Sequence, residues 1–252
     1  MSRRVRILNG DFDPLTLSGT VDAVFDLLRG GGRGWVCTVN VATLMAMRED
    51  PRLQSFVDRA AFVVADGQPL VWCAPLFDVR LPERVAGIDL VDALCARAAA
   101  TGAGIYLLGS TGPLLERAMA GLQARYPRLR LVGADGYFSL AEADARARAI
   151  ASSGCAILLV GMGSPLQEEF IQRQWSRLGA GVAIGVGGSF DVLAGARLRA
   201  PVPLRRAGLE WLVRLVQEPV RLLPRYAWTN TRFCLLIAAA LVVRLKRWMR
   251  AT

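Results

Sequence analysis

Ala61-Phe62-Val63-Val64-Ala65-Asp66-Gly67 is an apolar, valine-rich run that closes on one carboxylate and a glycine. A short apolar run bounded in this way suits a strand buried on both faces, as in parallel sheets. Ligands of open α/β sheets sit in the crevice beyond the carboxyl ends of the strands, so Asp66 stands where a ligand would be met. By position alone, Asp66 serves equally well as the cap of the next helix or as a catalytic group. The chain contains no histidine. Ser-His-Asp and Cys-His catalysis are therefore excluded, and a carboxylate is the base expected for proton chemistry near neutral pH.

Outward from this run, strands and helices alternate. Val5 to Leu8 reads as a short strand and Asn9 to Pro14 as turn chemistry. A helix over Val21 to Leu28 ends at three glycines. Trp35 to Val39 reads as a strand closed by Asn40, and the helical stretch after it has Met45, Met47, Leu53 and Phe56 as its core face. Pro69 to Phe77 reads as an apolar helix, and another begins near Asp89 after the Pro82–Gly87 loop. Ile105 to Leu108 is a strand ending at Gly109-Ser110-Thr111-Gly112. Leu129 to Val132 is followed by Asp135-Gly136, and Ser139 with Glu142 fits a capping box. Cys155 to Val160 ends at Gly161-Met162-Gly163-Ser164-Pro165. Val182 to Val186 ends at Gly187-Gly188-Ser189-Phe190-Asp191. This alternation predicts an α/β, Rossmann-like, mainly parallel sheet with helices on both faces.

Three of these strands end in glycine-rich turns that lead into helices. Exposed backbone N–H groups at such turns hold phosphates, and glycine lets the backbone come close. A nucleotide or nucleotide-sugar site is the default expectation. No turn carries GxGxxG or GxxxxGK[ST], so a standard dinucleotide fingerprint and a P-loop are not supported. Asp11-Phe12-Asp13 matches a metal-holding DxD pattern, but Pro14 and Thr16 behind it favour helix capping. Asp135 reads as a turn residue in preference to a ribose-binding acid.

Length and apolar fraction, 252 residues and 53%, allow one large domain with an appendage. The expected division is a nucleotide-sugar-binding catalytic domain over 1–196 and a helical membrane-associating appendage over 197–252. Charge supports it. Residues 1–196 hold 19 basic and 19 acidic side chains, whereas 197–252 hold 12 basic and 2 acidic, the source of the whole +10. Pro201 and Pro203 mark the boundary. Beyond it Trp211, Leu212, Leu215 and Val216 can share a face, and Arg214, Arg221 and Arg225 are spaced to align on a helix. Pro219 and Pro224 argue against a single straight helix. Phe233 to Val243 is the longest apolar run at eleven residues, short of the ~20 that span a bilayer. It reads as lying on or dipping into an anionic membrane surface without crossing. Nucleic acid is disfavoured as a partner, because the tail is rich in Leu, Val and Trp. Five cysteines, none in CxxC spacing, read as reduced thiols, and a zinc site is not expected. Met1 to Arg6 lead straight into a strand-like run, so no signal peptide is read.

Several motifs together resemble the WecG/TagA/CpsF glycosyltransferase family, glycosyltransferase family 26. They are Thr38-Val39-Asn40, Ala65-Asp66-Gly67, Arg84-Val85-Ala86-Gly87-Ile88-Asp89, Leu108-Gly109-Ser110, Gly136-Tyr137-Phe138 and the run from Gly161 to Glu168. The most specific are the run from Gly185 to Asp191 and that from Gly208 to Leu215, with Glu218-Pro219 and Arg225-Tyr226. Arg199-Ala200-Pro201 precedes the tail as in the family.

The resemblance implies an inverting, metal-independent enzyme that needs no cofactor. It would move a sugar from a UDP-sugar to a polyprenyl-diphosphate-linked saccharide at the cytoplasmic face of the bacterial inner membrane, in synthesis of a surface polysaccharide. The family's base falls on Asp66, with Thr38 and Asn40 close by and Gln167 near the diphosphate. Arg214, Arg221 and Arg225 would be lent by the tail. The substrate-binding set is completed by Arg84, Gly87, Asp89, Gly109, Ser110, Gly136, Tyr137, Gly161, Gly163, Gly187, Gly188 and Asp191. Two rival expectations are a Rossmann-type nucleotide-cofactor enzyme and a non-catalytic, membrane-bound nucleotide-sugar sensor. The donor sugar and association into a homo-oligomer stay open.

Overall fold

The computed structural model describes residues 4–251. It opens with an antiparallel hairpin of β1 (Val5–Ile7) and β2 (Gly10–Phe12), Val5 opposite Phe12. The Asn9–Pro14 stretch, a turn by composition, is therefore half strand. The turn narrows to Leu8 and Asn9, with Leu8 left-handed at φ 54°, because Phe12 must return to the core beside Ile7. Asp13 then caps a neighbouring edge. Its carboxylate accepts the Val63 N–H at 2.8 Å and pairs with Arg4 at 3.0 Å.

After α1 (Leu17–Arg29), which Thr16 caps, come β3 (Gly34–Val39), α2 (Val41–Glu49), α3 (Pro51–Asp58), β4 (Phe62–Ala65) and α4 (Gln68–Cys73). They are followed by α5 (Gly87–Thr101), β5 (Gly104–Gly109), α6 (Gly112–Arg125), β6 (Arg130–Ala134) and α7 (Ala143–Ser152). The domain closes with β7 (Ile157–Gly161), α8 (Leu166–Gln174), β8 (Val182–Gly185) and α9 (Ser189–Leu193). Strands β3 to β8 form one parallel sheet in the order β4-β3-β8-β7-β5-β6. The sheet is two-sided, and period-two alternation sends successive residues into separate cores. Ile105, Leu107, Ile157 and Leu159 pack with α1, α5, α6 and α9. Tyr106, Leu108, Leu158 and Val160 pack with α2, α3, α7 and α8. The expected Met45-to-Phe56 helix is two helices. Asp50 caps the second, whose first residue is Pro51, a position that needs no intrahelical donor. Ser139 and Glu142 do meet through the backbone N–H of Ser139, on a 3-10 turn that precedes α7.

The strand ends come unusually close. A side chain on Gly109 would put its Cβ 2.4 Å from the Gly161 carbonyl oxygen, and Gly109 sits at φ 150°. One on Gly136 would lie 2.7 Å from the Gly109 Cα. The ends of β5 and β7 and the turn after β6 thus stack backbone on backbone and open a shallow floor.

The C-terminal segment folds as α10 (Val202–Arg206), α11 (Glu210–Gln217) and α12 (Pro219–Ala251). The two prolines do not break the last helix. Pro219 occupies its first position, and Pro224 lies inside, where the carbonyl it frees belongs to Val220, a 90% exposed residue that water can reach. Within α12, Pro219–Arg244 is long and apolar enough to cross a membrane by length and composition. Counting only the unbroken eleven-residue run missed this, because Thr, Asn and Arg interrupt the rest. One flank of α12 is nonetheless committed to the body. Leu222, Thr229 and Phe233 are buried, Leu236 and Ile237 pack against the core, and Arg232 and Arg244 pair with Glu49 and Asp78.

Gly109→Ala is expected to destabilise the fold by at least ~2 kcal/mol, since both space and φ oppose a side chain there. Urea unfolding with an unchanged m-value checks it.

Candidate active site

A cavity of about 1250 Å³ opens at the carboxyl ends of the strands and is closed on its far side by α11 and α12. Asp66 lies at the end of β4. Its own N–H donates to the Val39 carbonyl at 2.9 Å. The capping role does not materialise: Gly67 occupies the N-cap position of α4, with no side-chain cap. The carboxylate instead faces the cavity and accepts the Gly87 N–H. Burial pushes its pKa up to about 6, against the opposing pull of Arg214 and Arg84, while Glu210 adds to the rise.

Neighbouring groups are held by local chemistry. The Asn40 side-chain oxygen accepts the Thr43 N–H at 3.0 Å and so caps α2; its NH₂ makes no hydrogen bond to another described residue. Thr38 donates to the Gly185 carbonyl at 3.1 Å, stitching β3 to β8. The Gln167 oxygen accepts the Gly187 N–H at 3.0 Å, and its NH₂ donates to Glu168 at 2.8 Å. Gln167 therefore fixes the Gly187-Gly188 turn. Gly163 and Gly187 have φ 79° and 53°, and a Cβ on either would meet nothing. Bare backbone is presented to the cavity at both.

On the opposite wall, Ser110, left-handed at φ 58°, donates to Asp191 at 2.7 Å. Asp191 pairs with Arg197 at 3.3 Å, and Arg197 with Glu218 at 2.8 Å. Glu218 also pairs with Arg221. Tyr137 is 74% exposed on the loop after β6, where its N–H donates to Asp135 at 3.1 Å; Asp135 also pairs with Arg146. Asp135 thus behaves as a turn residue.

Nearly all the candidate residues read from the sequence line this one cavity: Thr38, Asn40, Asp66, Arg84, Gly87, Ser110, Gly136, Tyr137, Gly161, Gly163, Gln167, Gly187, Gly188, Asp191, Arg214, Arg221 and Arg225. Two do not. Asp89 is engaged by Arg199, and Gly109 lies beneath the surface, where its missing side chain allows the strand ends to close. The sequence reading missed Glu168 and Glu210 as individual lining residues. Glu168 lines the cavity with a pKa raised chiefly by burial. Glu210 is buried, at 2.8 Å from Arg84 and 3.3 Å from Arg214. A signal for Glu210 was present, since Glu210 and Glu218 are the two carboxylates in a segment with twelve cations. Among the described residues, no group of three or more His, Cys, Asp or Glu is arranged to hold a metal ion.

Residues 5–247 match the sequence pattern of the Glycosyl transferase WecG/TagA/CpsF family. The chain belongs to this family. A similar protein of Staphylococcus aureus (strain MW2), an N-acetylglucosaminyldiphosphoundecaprenol N-acetyl-beta-D-mannosaminyltransferase, is 30% identical over 217 residues, 85% of each chain. Family membership makes the present chain a glycosyltransferase. The motifs on which the sequence resemblance rests lie mostly at the strand ends and on α11 and α12, the elements that enclose the cavity.

The raised pKa of Asp66 has a signed consequence for stability. The folded state holds the proton more tightly than the unfolded chain, so Asp66 costs stability as pH rises from ~4 to 6, and the cost is constant above. Asp66→Asn is expected to match the native protein near pH 4 and exceed it by about 1–3 kcal/mol at pH 7.5. Thermal unfolding across this range checks it.

Proposed function

We propose that this glycosyltransferase is inverting and metal-independent, and that it transfers a sugar from a UDP-sugar to a polyprenyl-diphosphate-linked saccharide, with Asp66 as general base. The observation that carries the reading is Asp66 itself: a carboxylate free of capping duty, facing the cavity with a pKa near 6, in a chain without histidine. A base works best when its pKa lies near the operating pH. The acceptor hydroxyl attacks the anomeric carbon while its proton passes to Asp66. The bond from that carbon to the diphosphate oxygen breaks on the opposite face, and UDP leaves with the electron pair. One carboxylate suffices, because a single displacement inverts the centre.

The charge that develops on the departing diphosphate needs donors already in place. Backbone N–H groups at Gly163 and Gly188 supply some. Arg214, Arg221 and Arg225 supply the rest from the C-terminal segment. Arg225 has no carboxylate partner among the described residues, whereas Arg221 is paired with Glu218 and Arg214 with Glu210. Asp13 of the Asp11-Phe12-Asp13 triplet is occupied by Val63 and Arg4, which favours charge neutralisation by arginine over a metal. The cavity exceeds the ~300–1,000 Å³ of a typical small-ligand pocket, enough for a donor and the sugars of an acceptor together. The staphylococcal relative's name favours an N-acetylmannosamine donor and an N-acetylglucosamine-bearing acceptor. Residues 197–252 act as the membrane-associating appendage at the cytoplasmic face. The outward surface of α11 and α12, with Leu212, Val216, Val220, Leu223 and Trp228 exposed, suits an anionic bilayer.

UDP release should be measured from a panel of UDP-sugars with a short-chain polyprenyl-diphosphate saccharide. One donor is expected to turn over, with an acid limb near pH 6, and Asp66→Asn to lose at least ~100-fold. UDP binding without turnover of any donor would favour a sensing role, and an active Asp66→Asn variant would remove Asp66 as base. Arg225→Ala is expected to weaken UDP binding by about 1.5–3 kcal/mol in calorimetry, the value of a charged hydrogen bond.

A further inference from the structure

The boundary between the α/β body and the C-terminal segment is bridged beside Asp66 by one carboxylate. Glu210 is the first residue of α11 and is 6% exposed. One of its oxygens lies 2.8 Å from Nη1 of Arg84, which belongs to the loop before α5. The other lies 3.3 Å from Nη2 of Arg214, one turn further along α11. Arg84 is itself nearly buried, with a side chain 15% exposed. Each guanidinium therefore has a position set by the same acid, one from the body and one from the segment. A buried carboxylate survives only when its charge is met. Here burial alone would raise the pKa of Glu210, but Arg214, Arg84 and Arg199 outweigh it and hold the residue ionised, below its ordinary value.

We infer that Glu210 is a positioning residue of this site: it pins Arg84 and Arg214 together beside Asp66, so that the docked C-terminal segment supplies a fixed cation to the base. This inference rests on the reading of Asp66 as base given above and adds the group that sets its surroundings. The charged groups facing Asp66 are Arg84 from the body and Glu210 and Arg214 from α11. Behind them, Tyr226 of α12 faces Arg214, and Arg199 faces Glu210. Together Asp66, Arg84, Glu210 and Arg214 carry no net charge. Glu210 keeps two arginines next to the base without letting them bind it outright, as an Asp66–arginine pair would suppress its basicity.

The test is a double-mutant cycle read on the free protein. Carboxyl ¹³C NMR of aspartate-labelled full-length chain, with the Asp66 signal assigned by its loss in Asp66→Asn, gives the titration midpoint of Asp66. Arg214→Gln is expected to raise that midpoint in the native background, since Arg214 lowers it. In a Glu210→Gln background the same change is expected to move it little, because Arg214 is no longer held at Asp66. An equal rise in both backgrounds would overturn the inference, as a merely structural Glu210 leaves the effect of Arg214 intact. Should Glu210→Gln fail to fold, Glu210→Asp keeps the charge but draws the carboxylate back by one methylene, and the effect of Arg214→Gln is expected to shrink there too; an undiminished effect again counts against the pin. No substrate enters the cycle. Absence of turnover in the native chain would strike the transferase reading alone.

Discussion

The cost of burying one carboxylate at the end of β4 shapes the rest of the site. Asp66 emerges from a strand covered on both faces, where charge is poorly solvated. Left alone it would hold its proton more tightly still and be a poorer acceptor. Arginines from distant parts of the chain draw it back, and they need a carboxylate of their own to be held close without saturating it. The Arg84–Glu210–Arg214 bridge meets both demands. A segment whose charge reads as a general basic tail is thus, at its start, an electrostatic wall of the cavity.

The floor opposite that wall depends on backbone. The strand ends are packed so closely that Gly109 has no room for a side chain against Gly161, Gly136 none against Gly109, and Gly161 none against Phe190. Their contact brings the glycine-rich turns to one level. Gly163 and Gly187 then carry no side chain over the cavity, and Gln167 locks the second turn in place through the Gly187 N–H. An anionic ligand would meet fixed dipoles on the floor and cations on the wall, a combination suited to holding a diphosphate while its charge grows.

The long α12 reconciles two surfaces. Its inner flank is bound to the body by Leu222, Thr229 and Phe233 and by the arginine pairs to Glu49 and Asp78. Its outer face shows Trp228, Leu235, Val242 and Met249 to solvent at seven-residue intervals, and so along one side of the helix. A helix pinned on one flank and apolar on the other carries the body with it wherever that outer face finds a partner. Closure of the cavity and engagement of the outer face are therefore properties of one continuous helix.

Much of this was legible in the sequence because it is local. Period-two burial, glycine at strand ends and the strand-closing Asp66 each write themselves into a few adjacent residues. The α/β sheet and the set of residues around its crevice follow from them, and the family resemblance rests on the same stretches. Contacts between distant residues left no such local mark. Asp89, two residues beyond Gly87 in a shared motif, does not line the cavity and is taken by Arg199 instead, because helical geometry turns residues two apart to different sides. Gly10 to Phe12, polar and turn-like by composition, became strand through pairing with β1. Prolines that forbid a straight helix by rule were accommodated at a first position and beside an exposed carbonyl. The role of Glu210 could be found only in three dimensions. Its two partners lie 126 residues back and four ahead, and what makes the carboxylate matter is the loss of water around it, which is a property of the folded enclosure and of no segment alone.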